Sequence, residues 1–521
     1  MTEATGPDGP AERPRPLWRT LLLPWVLLAL VTSLWSLAMP PAGSPDEPAH
    51  MVKAASVVRG ELTPSAMIEK GGVLEVPAWV AFEYEQTCYA FFATQPVGCI
   101  PELSGDADAL VSSYSSASLY DPVYYWLVGW PSLVAQDESG LYAMRIVSGV
   151  LCSFFVALAL HLVSGWRRGR LVATAALIAL TPMAVFIMAS VNPNALEFTG
   201  ALAAFTALLS IVLSPDESRF RSRLAVVAVA TALVVHSRSI SPLWMAVLLI
   251  SPLLLLSWRT LVAFLRRPAV LVTAAIIVVA TLLSVWWTLT SNSLGTAPTT
   301  TGPDVAPPAK GVGTPFLQGF LQSIGDFYTQ IRQMIGVLGW LDTIFNPLVY
   351  FAFYAMIGLL AVGVLIWVRG RRLVFAAVLA AAFFFLPPFV QALYITRGGY
   401  IWQGRYSLVL LMCLIVGAAA VIATSPRFAS WHSSTRATTV VAWVYGAVWT
   451  TCSIWAYATA MRRNTVGYLG SWEEMLSGSD WVPPIGPLPL MILFGVASAA
   501  FAWAAVTVVR TPPAASHAVR S

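Results

Sequence analysis

Runs of about 20 apolar residues, the length that crosses a hydrocarbon core, recur along this chain near 17–38, 141–163, 171–190, 194–213, 224–236 and 241–257. Six more follow, near 269–289, 347–367, 373–395, 406–424, 437–460 and 488–509. A bilayer leaves no water for backbone amides, so each run must satisfy its hydrogen bonds within a helix. The pattern predicts an all-α polytopic membrane protein with about 12 transmembrane helices. Two stretches interrupt it, 39–140 and 290–346, both longer than a compact bundle needs for a connection. We expect them to be folded, functional loops on the extracytoplasmic side.

Inside the first loop, 119–135 is apolar but carries five aromatics and two prolines. It reads as interfacial or re-entrant, in keeping with an aromatic belt; if it crosses, the short run at 224–236 drops out as a span. The second loop begins rich in Thr, Pro and Gly and becomes helical after Pro315. Phe316, Phe320, Ile324, Phe327, Ile331, Met334 and Leu338 recur at three- and four-residue spacing, opposite Gln318, Gln322, Asp326, Gln330 and Gln333. Such a helix either lies in the membrane interface or packs against the protein. It ends in Gly336-Val337-Leu338-Gly339-Trp340-Leu341-Asp342-Thr343, which places Asp342 near the outer surface.

Composition fixes class and orientation. Hydrophobic residues are 57% of the 521 and charged residues 11%, with a formal net charge of +5. Arg13, Arg15 and Arg19, then Arg167/Arg168/Arg170, Arg219/Arg221/Arg223, Arg259/Arg266/Arg267, Arg369/Arg371/Arg372 and Arg427/Arg436, all fall on one side of the predicted spans. The positive-inside rule makes that side, and both termini, cytoplasmic. The basic excess thus concerns the membrane, and no nucleic-acid partner is implied. The first apolar run leads into Met39-Pro40-Pro41 and reads as a retained anchor, not a cleaved signal peptide. Residues 1–16 and 511–521 read as disordered tails, leaving 17–510 as one transmembrane domain.

The chemistry gathers at the outer ends. Ser44-Pro45-Asp46-Glu47-Pro48-Ala49-His50 sets two carboxylates and an imidazole on a proline-braced turn just beyond the first span. Asp46 as a plain helix N-cap is the competing reading, and the two are compatible. Arg145, the turn at Asn192, Asn194 and Glu197, His236 with Arg238, and Arg397 and Arg405 around Gly-Gly-Tyr-Ile-Trp-Gln-Gly collect on the same side. Snorkelling or C-capping accounts for any one of these arginines; together they suit phosphate oxygens. Residues 39–140 hold thirteen Asp or Glu against three Lys or Arg. They also hold Cys88 and Cys99, either disulfide-bonded outside the cell or two unpaired thiols; Cys152, Cys413 and Cys452 fall within spans.

Pro45-Asp46-Glu47-Pro48-Ala49-His50, Asn192-Pro193-Asn194, Gly336–Asp342 and Gln403-Gly404-Arg405-Tyr406 together resemble a bacterial family of multipass membrane proteins of unknown function, over roughly residues 20–460. That family in turn looks related to the GT-C glycosyltransferases, and the Asp-Glu pair with His three positions on is similar to the first-loop motif of protein mannosyltransferases. Asn194 stands where the family pattern leads us to expect Asp. The resemblance implies a GT-C-like fold and transfer of a sugar from a polyprenyl-phosphate donor to a cell-envelope glycan acceptor. Asp46 would be the base; Glu47 would assist it or, with Asp46, hold a divalent cation. His50 would orient a carboxylate, touch substrate or simply pack its helix. Arg405, with Arg238 and Arg397, would bind phosphate, and Asp342 would contact substrate. No Walker loop or Rossmann turn is present. Two other readings stand beside this one, a transporter or flippase of a lipid-linked or small polar substrate and a non-catalytic envelope-assembly partner. Against transport, the charges sit at outer ends rather than at a midplane between matched repeats.

Overall fold

The computed structural model describes residues 15–135, 137–293, 310–431 and 435–509. Most of both tails and the Thr/Pro-rich start of the second loop lie outside the described residues. The membrane-type helices are α1 (Trp18–Ala38), α4 (Ser139–Val163), the pair α5 (Gly169–Ala179) and α6 (Pro182–Met188), α7 (Pro193–Leu213), α8 (Phe220–Val235), α9 (Ser241–Leu255) and α10 (Pro268–Thr290). After the second loop come α13 (Pro347–Trp367), α14 (Arg371–Gly398), α15 (Gly404–Ala423), α16 (Ala437–Val466) and α17 (Pro487–Thr507). The protein is an all-α polytopic membrane protein.

Nine of these helices are long and apolar enough to cross a bilayer, and the bent pair α5–α6 makes a tenth among the described residues. The apolar runs led us to expect twelve. The difference lies in α8 and α9. With 16 residues, α8 reaches about 24 Å at ~1.5 Å per residue, short of the ~30 Å core. α8 still runs between the two ends of the bundle. Glu217, before α8, pairs with Arg267 at 2.8 Å, while His236, after it, meets Asp121 at 2.6 Å.

The ends differ in charge. Arg168 donates to the Ala423 carbonyl, Arg170 to Val509, Ser425 to Trp367 and Arg15 to Thr507, which gathers the basic connections and both described termini at one end. The opposite end carries the acidic loop. There α2 (Glu47–Val58) packs on an antiparallel sheet of β1 (Ala66–Ile68), β2 (Gly71–Pro77) and β3 (Leu110–Ser115), in the order β1-β2-β3, with Val76 facing Val111 in register. Leu74 and Val76 are buried while Glu75 between them is exposed, the alternation of a half-buried strand. α3 (Pro122–Gly129) has eight residues and cannot span; Trp126, Trp130, Leu133 and Val134 around it point outward.

The second loop forms two helices where the periodicity suggested one: α11 (Phe316–Gly325) and α12 (Phe327–Gly336), broken at Asp326. Phe316 and Phe327 pack on Phe389 and Phe383 of α14, while Leu317, Leu321 and Tyr328 face outward. A two-residue hairpin, β4 (Val337–Leu338) and β5 (Thr343–Ile344), follows. α7 and α15 sit at the centre, each with 89% of its apolar window buried, against 22% for α10 at the periphery. The 71° bend between α5 and α6 frees backbone groups, but Trp449 donates to the Leu180 carbonyl at 2.7 Å and Thr181 to Met334 at 2.6 Å. That break is therefore filled by protein, unlike the open breaks that line transporter pathways.

Candidate active site

The turn that carries the carboxylates is fixed from several directions. Pro40 and Pro41 stop α1, since a residue before proline disfavours the helical region and Met39 is extended. Arg145 of α4 donates to the Met39 and Pro40 carbonyls at 3.0 and 2.8 Å. Tyr89 donates to Pro41 at 2.5 Å, Trp340 donates to the Ala42 carbonyl at 2.9 Å, and the Ala42 amide donates to Glu83 at 2.8 Å. Asp46 then adopts φ 63°, a left-handed conformation that costs an L-residue and that Asp tolerates better than most. It occupies the N-cap position of α2, yet its side chain caps nothing.

This geometry sends the adjacent carboxylates in opposite directions. Glu47 is fully buried and accepts from Arg145 Nε at 2.9 Å and Nη2 at 2.5 Å, with the Val191 amide also on Oε1 at 3.0 Å. Its oxygens hold α2 to α4 and to the start of α7. The Asp46 side chain is 45% exposed and takes one bond from Arg405 Nη2. As a donor set the pair does not fit a divalent cation, because Glu47 is saturated and Asp46 faces a guanidinium. No cluster of three His, Cys, Asp or Glu suited to a metal occurs among the described residues.

Arg405 comes from the motif Gln403-Gly404-Arg405-Tyr406. A Cβ at Gly404 would stand 2.3 Å from the Gln330 carbonyl, so only glycine lets this turn lie against α12; the Gly404 amide donates to Gln333 at 2.7 Å. The Arg405 side chain is buried, and its Nε and Nη1 have no partner, an expensive state for guanidinium donors. Arg238 lies 4.3 Å and Arg405 5.2 Å from the ring of Tyr406. Arg238 is 3.6 Å from Glu197. Beside them Tyr120, Arg238, Tyr406, Gln391, Tyr394 and Trp402 line a cavity of about 200 Å³. His50 is buried, 2.8 Å from the Tyr125 hydroxyl. Burial pushes its imidazole down to about 3; Asp46 opposes that, and Arg405 and Arg238 add to it. His50 is thereby held neutral.

The family model of predicted membrane proteins called DUF2142 matches residues 28–414. The chain belongs to this family. Its four motifs all lie within the match. No curated protein sequence matches the chain. Among solved structures it is similar to ArnT from Cupriavidus metallidurans in the apo state, with 12% identity, a TM-score of 0.44 and coverage of 93% of this chain and 76% of that one.

Other expected site residues of this DUF2142 member lie elsewhere. Asp342 is buried against Arg463 of α16 at 2.5 Å and accepts from Thr343 at 2.9 Å, away from the arginine cluster. Gly339 and Leu341, with φ 58° and 61°, shape the hairpin that presents it. Arg463 also donates to the Tyr89 carbonyl at 2.8 Å, inside the loop that Cys88 and Cys99 close as a disulfide. Arg397 is exposed at the end of α14, outside the cluster. Asn192 caps α7 through the Asn194 amide, and Glu197 accepts from Ser241 at 2.5 Å. Sequence reasoning missed Tyr120, Tyr125, Tyr406 and Glu83. The first two were hidden among the aromatics of 119–135, and Tyr406 was signalled only by its place beside Arg405.

Glu83 offers a test by pH. Burial pushes its carboxyl up to about 8, against the opposing pull of Arg145, and Oε1 has no partner. The folded protein therefore holds a proton at neutral pH that the unfolded chain gives up. Stability from this group is complete below the ordinary glutamate range and is lost as pH rises toward 8. Glu83→Gln should flatten that fall, so thermal unfolding in detergent at pH 5 and 8.5 should show a gain for the variant that grows with pH. Parallel curves would refute the neutral carboxyl.

Proposed function

We propose that this protein is a GT-C-type membrane glycosyltransferase that moves a sugar from a polyprenyl-phosphate donor to an extracytoplasmic glycan of the cell envelope. The observation that carries the reading is the exposed Asp46 carboxylate in contact with buried Arg405, whose remaining donors lack partners, beside Arg238 and an apolar-walled cavity. The basic end of the bundle faces the cytoplasm by the positive-inside rule, so this site faces outward. A donor's prenyl chain stays in lipid, and its phosphate meets the two arginines.

The acceptor hydroxyl attacks the anomeric carbon and gives its proton to Asp46. The bond from that carbon to the phosphate oxygen breaks, and its electron pair leaves with the lipid phosphate, whose charge Arg405 and Arg238 stabilise. Without donor, Arg405 is held by Asp46. A bound phosphate takes over the guanidinium and frees the carboxylate, so the base is released only when there is something to transfer. Two arginines supply the positive charge, and no step requires a cation.

The test is to reconstitute the protein in lipid with radiolabelled polyprenyl-phosphate sugars and crude envelope acceptor. Transfer by the wild type is expected, and donor binding without any transfer would favour transport. Arg405→Lys keeps the charge but loses the planar fork. It should weaken donor binding roughly 10- to 100-fold, as for loss of a charged hydrogen bond, while the fold persists. Unchanged donor affinity would remove Arg405 from the phosphate site.

A further inference from the structure

The acidic loop contains a second concavity, apart from the arginine cluster, of about 470 Å³, within the ~300–1,000 Å³ usual for ligand clefts. Tyr84, Glu85, Leu103, Ser112, Ser113 and Tyr114 line most of it. Tyr84 and Tyr114 stack at 4.3 Å with 28° between their planes. Both rings are only partly buried, and Glu85 and Ser112 are exposed. The two rings cover each other's inner faces, and the Lys70 ammonium lies 5.3 Å from the ring of Tyr114, so the C–H surface of a sugar would pack on the outer side of Tyr84 while its hydroxyls bond to the carboxylate and hydroxyls at the rim.

The two walls are tied to the catalytic turn on either side of Asp46. The first wall runs through Phe82–Thr87, and its Glu83 accepts from the amide of Ala42. The second is β3, and its Ser115 donates to the Ala49 carbonyl at 2.6 Å. Ala42 precedes Asp46 by four residues and Ala49 follows it by three. The charge of Asp46 is felt at Tyr84, whose phenol is raised first by burial, then by Tyr114 and Asp46. Charge also narrows the occupant. Residues 39–140 carry thirteen acidic against three basic side chains, a field that repels anions and admits neutral or cationic ligands.

We infer that the cleft between Phe82–Thr87 and β3 is the acceptor subsite, and that it takes a neutral or amino-bearing saccharide packed on Tyr84, which Tyr114 backs, with one hydroxyl directed to Asp46. This rests on the glycosyl-transfer reading and adds the class of acceptor to it. The saccharide supplies the attacking oxygen and the proton that Asp46 receives.

Two readouts separate the subsite from the chemistry. In reconstituted protein, release of lipid phosphate with water as acceptor reports the donor site alone. Transfer of label to envelope glycans of the source organism, split by anion exchange into neutral and anionic pools, reports the acceptor. Tyr114→Ala, which removes the ring that backs Tyr84, should raise the acceptor KM roughly tenfold, the scale of a lost aromatic contact, with release to water read on the same preparation as the report of the donor site. Glu85→Gln, on the exposed rim where folding is not at stake, should raise KM a few-fold by losing one hydrogen bond. Label should enter the neutral pool. Unchanged KM in both variants, or transfer confined to the anionic pool, would overturn the subsite while leaving the transferase intact. If the wild type neither releases lipid phosphate nor transfers sugar from any donor, the glycosyl-transfer reading fails and the subsite falls with it.

Discussion

Asp46→Asn should lower sugar transfer by about 10²- to 10⁴-fold, the usual contribution of a positioned general base, without measurable loss of folded protein. The asymmetry follows from its surroundings. Asp46 is the N-cap residue of α2 but accepts no bond from that helix, and its side chain is 45% exposed, so the amide leaves no buried group newly unpaired. What disappears is the ability to take the acceptor's proton. Asn cannot ionise, yet its carbonyl still reaches Arg405, so donor affinity should stay within a few-fold of wild type, because a bound phosphate replaces residue 46 on the buried guanidinium in either protein. The measurements are donor binding and single-turnover transfer on the same reconstituted preparation. Full transfer by Asp46→Asn would end the catalytic assignment, and lost donor binding would mean that the residue organises the phosphate site instead.

The class of fold was legible because apolar length is a blunt signal, and α1, α4, α7 and α13–α17 fall close to the runs that announced them. The sheet was not. β1–β3 are short, β2 opens on two glycines, and the alternation Leu74-Glu75-Val76 covers too few residues to stand out from a loop. Within the site, Asp46 and Arg405 were named from their motifs, but their contact spans 359 positions, and nothing local in either motif dictates it. The two carboxylates of the turn could not be told apart from sequence. Their roles divide because a left-handed residue at Asp46 points one outward while Arg145 captures the other, and the capturing arginine looked like a phosphate ligand. Asp342 shows the same limit. Glycines and a tryptophan around it placed it near the outer surface, but nothing local announced its partner Arg463, which lies in α16 beyond the apolar run predicted for that helix.

Glu47→Gln should do the reverse of Asp46→Asn, costing stability before chemistry. Glu47 and Arg145 are both fully buried and joined at two points, 2.9 and 2.5 Å. Removing one partner of such a pair leaves an uncompensated charge in a low-dielectric interior, at a cost of about 3–5 kcal/mol. Arg145 would keep the Met39 and Pro40 carbonyls, and Gln would keep a carbonyl for the Val191 amide, so the local geometry survives where the variant folds at all. The expected result is a large drop in thermal midpoint in detergent and a reduced yield of folded protein, with residual molecules that still bind donor. Replacing both residues together by Met should recover much of the loss, since an apolar pair of similar volume avoids the buried charge. That recovery is the decisive arm. If the double variant is stable but transfers no sugar and binds donor normally, the pair serves the chemistry, by aiming Asp46 or through Glu47 itself; if it transfers, the buried pair serves the fold and nothing more.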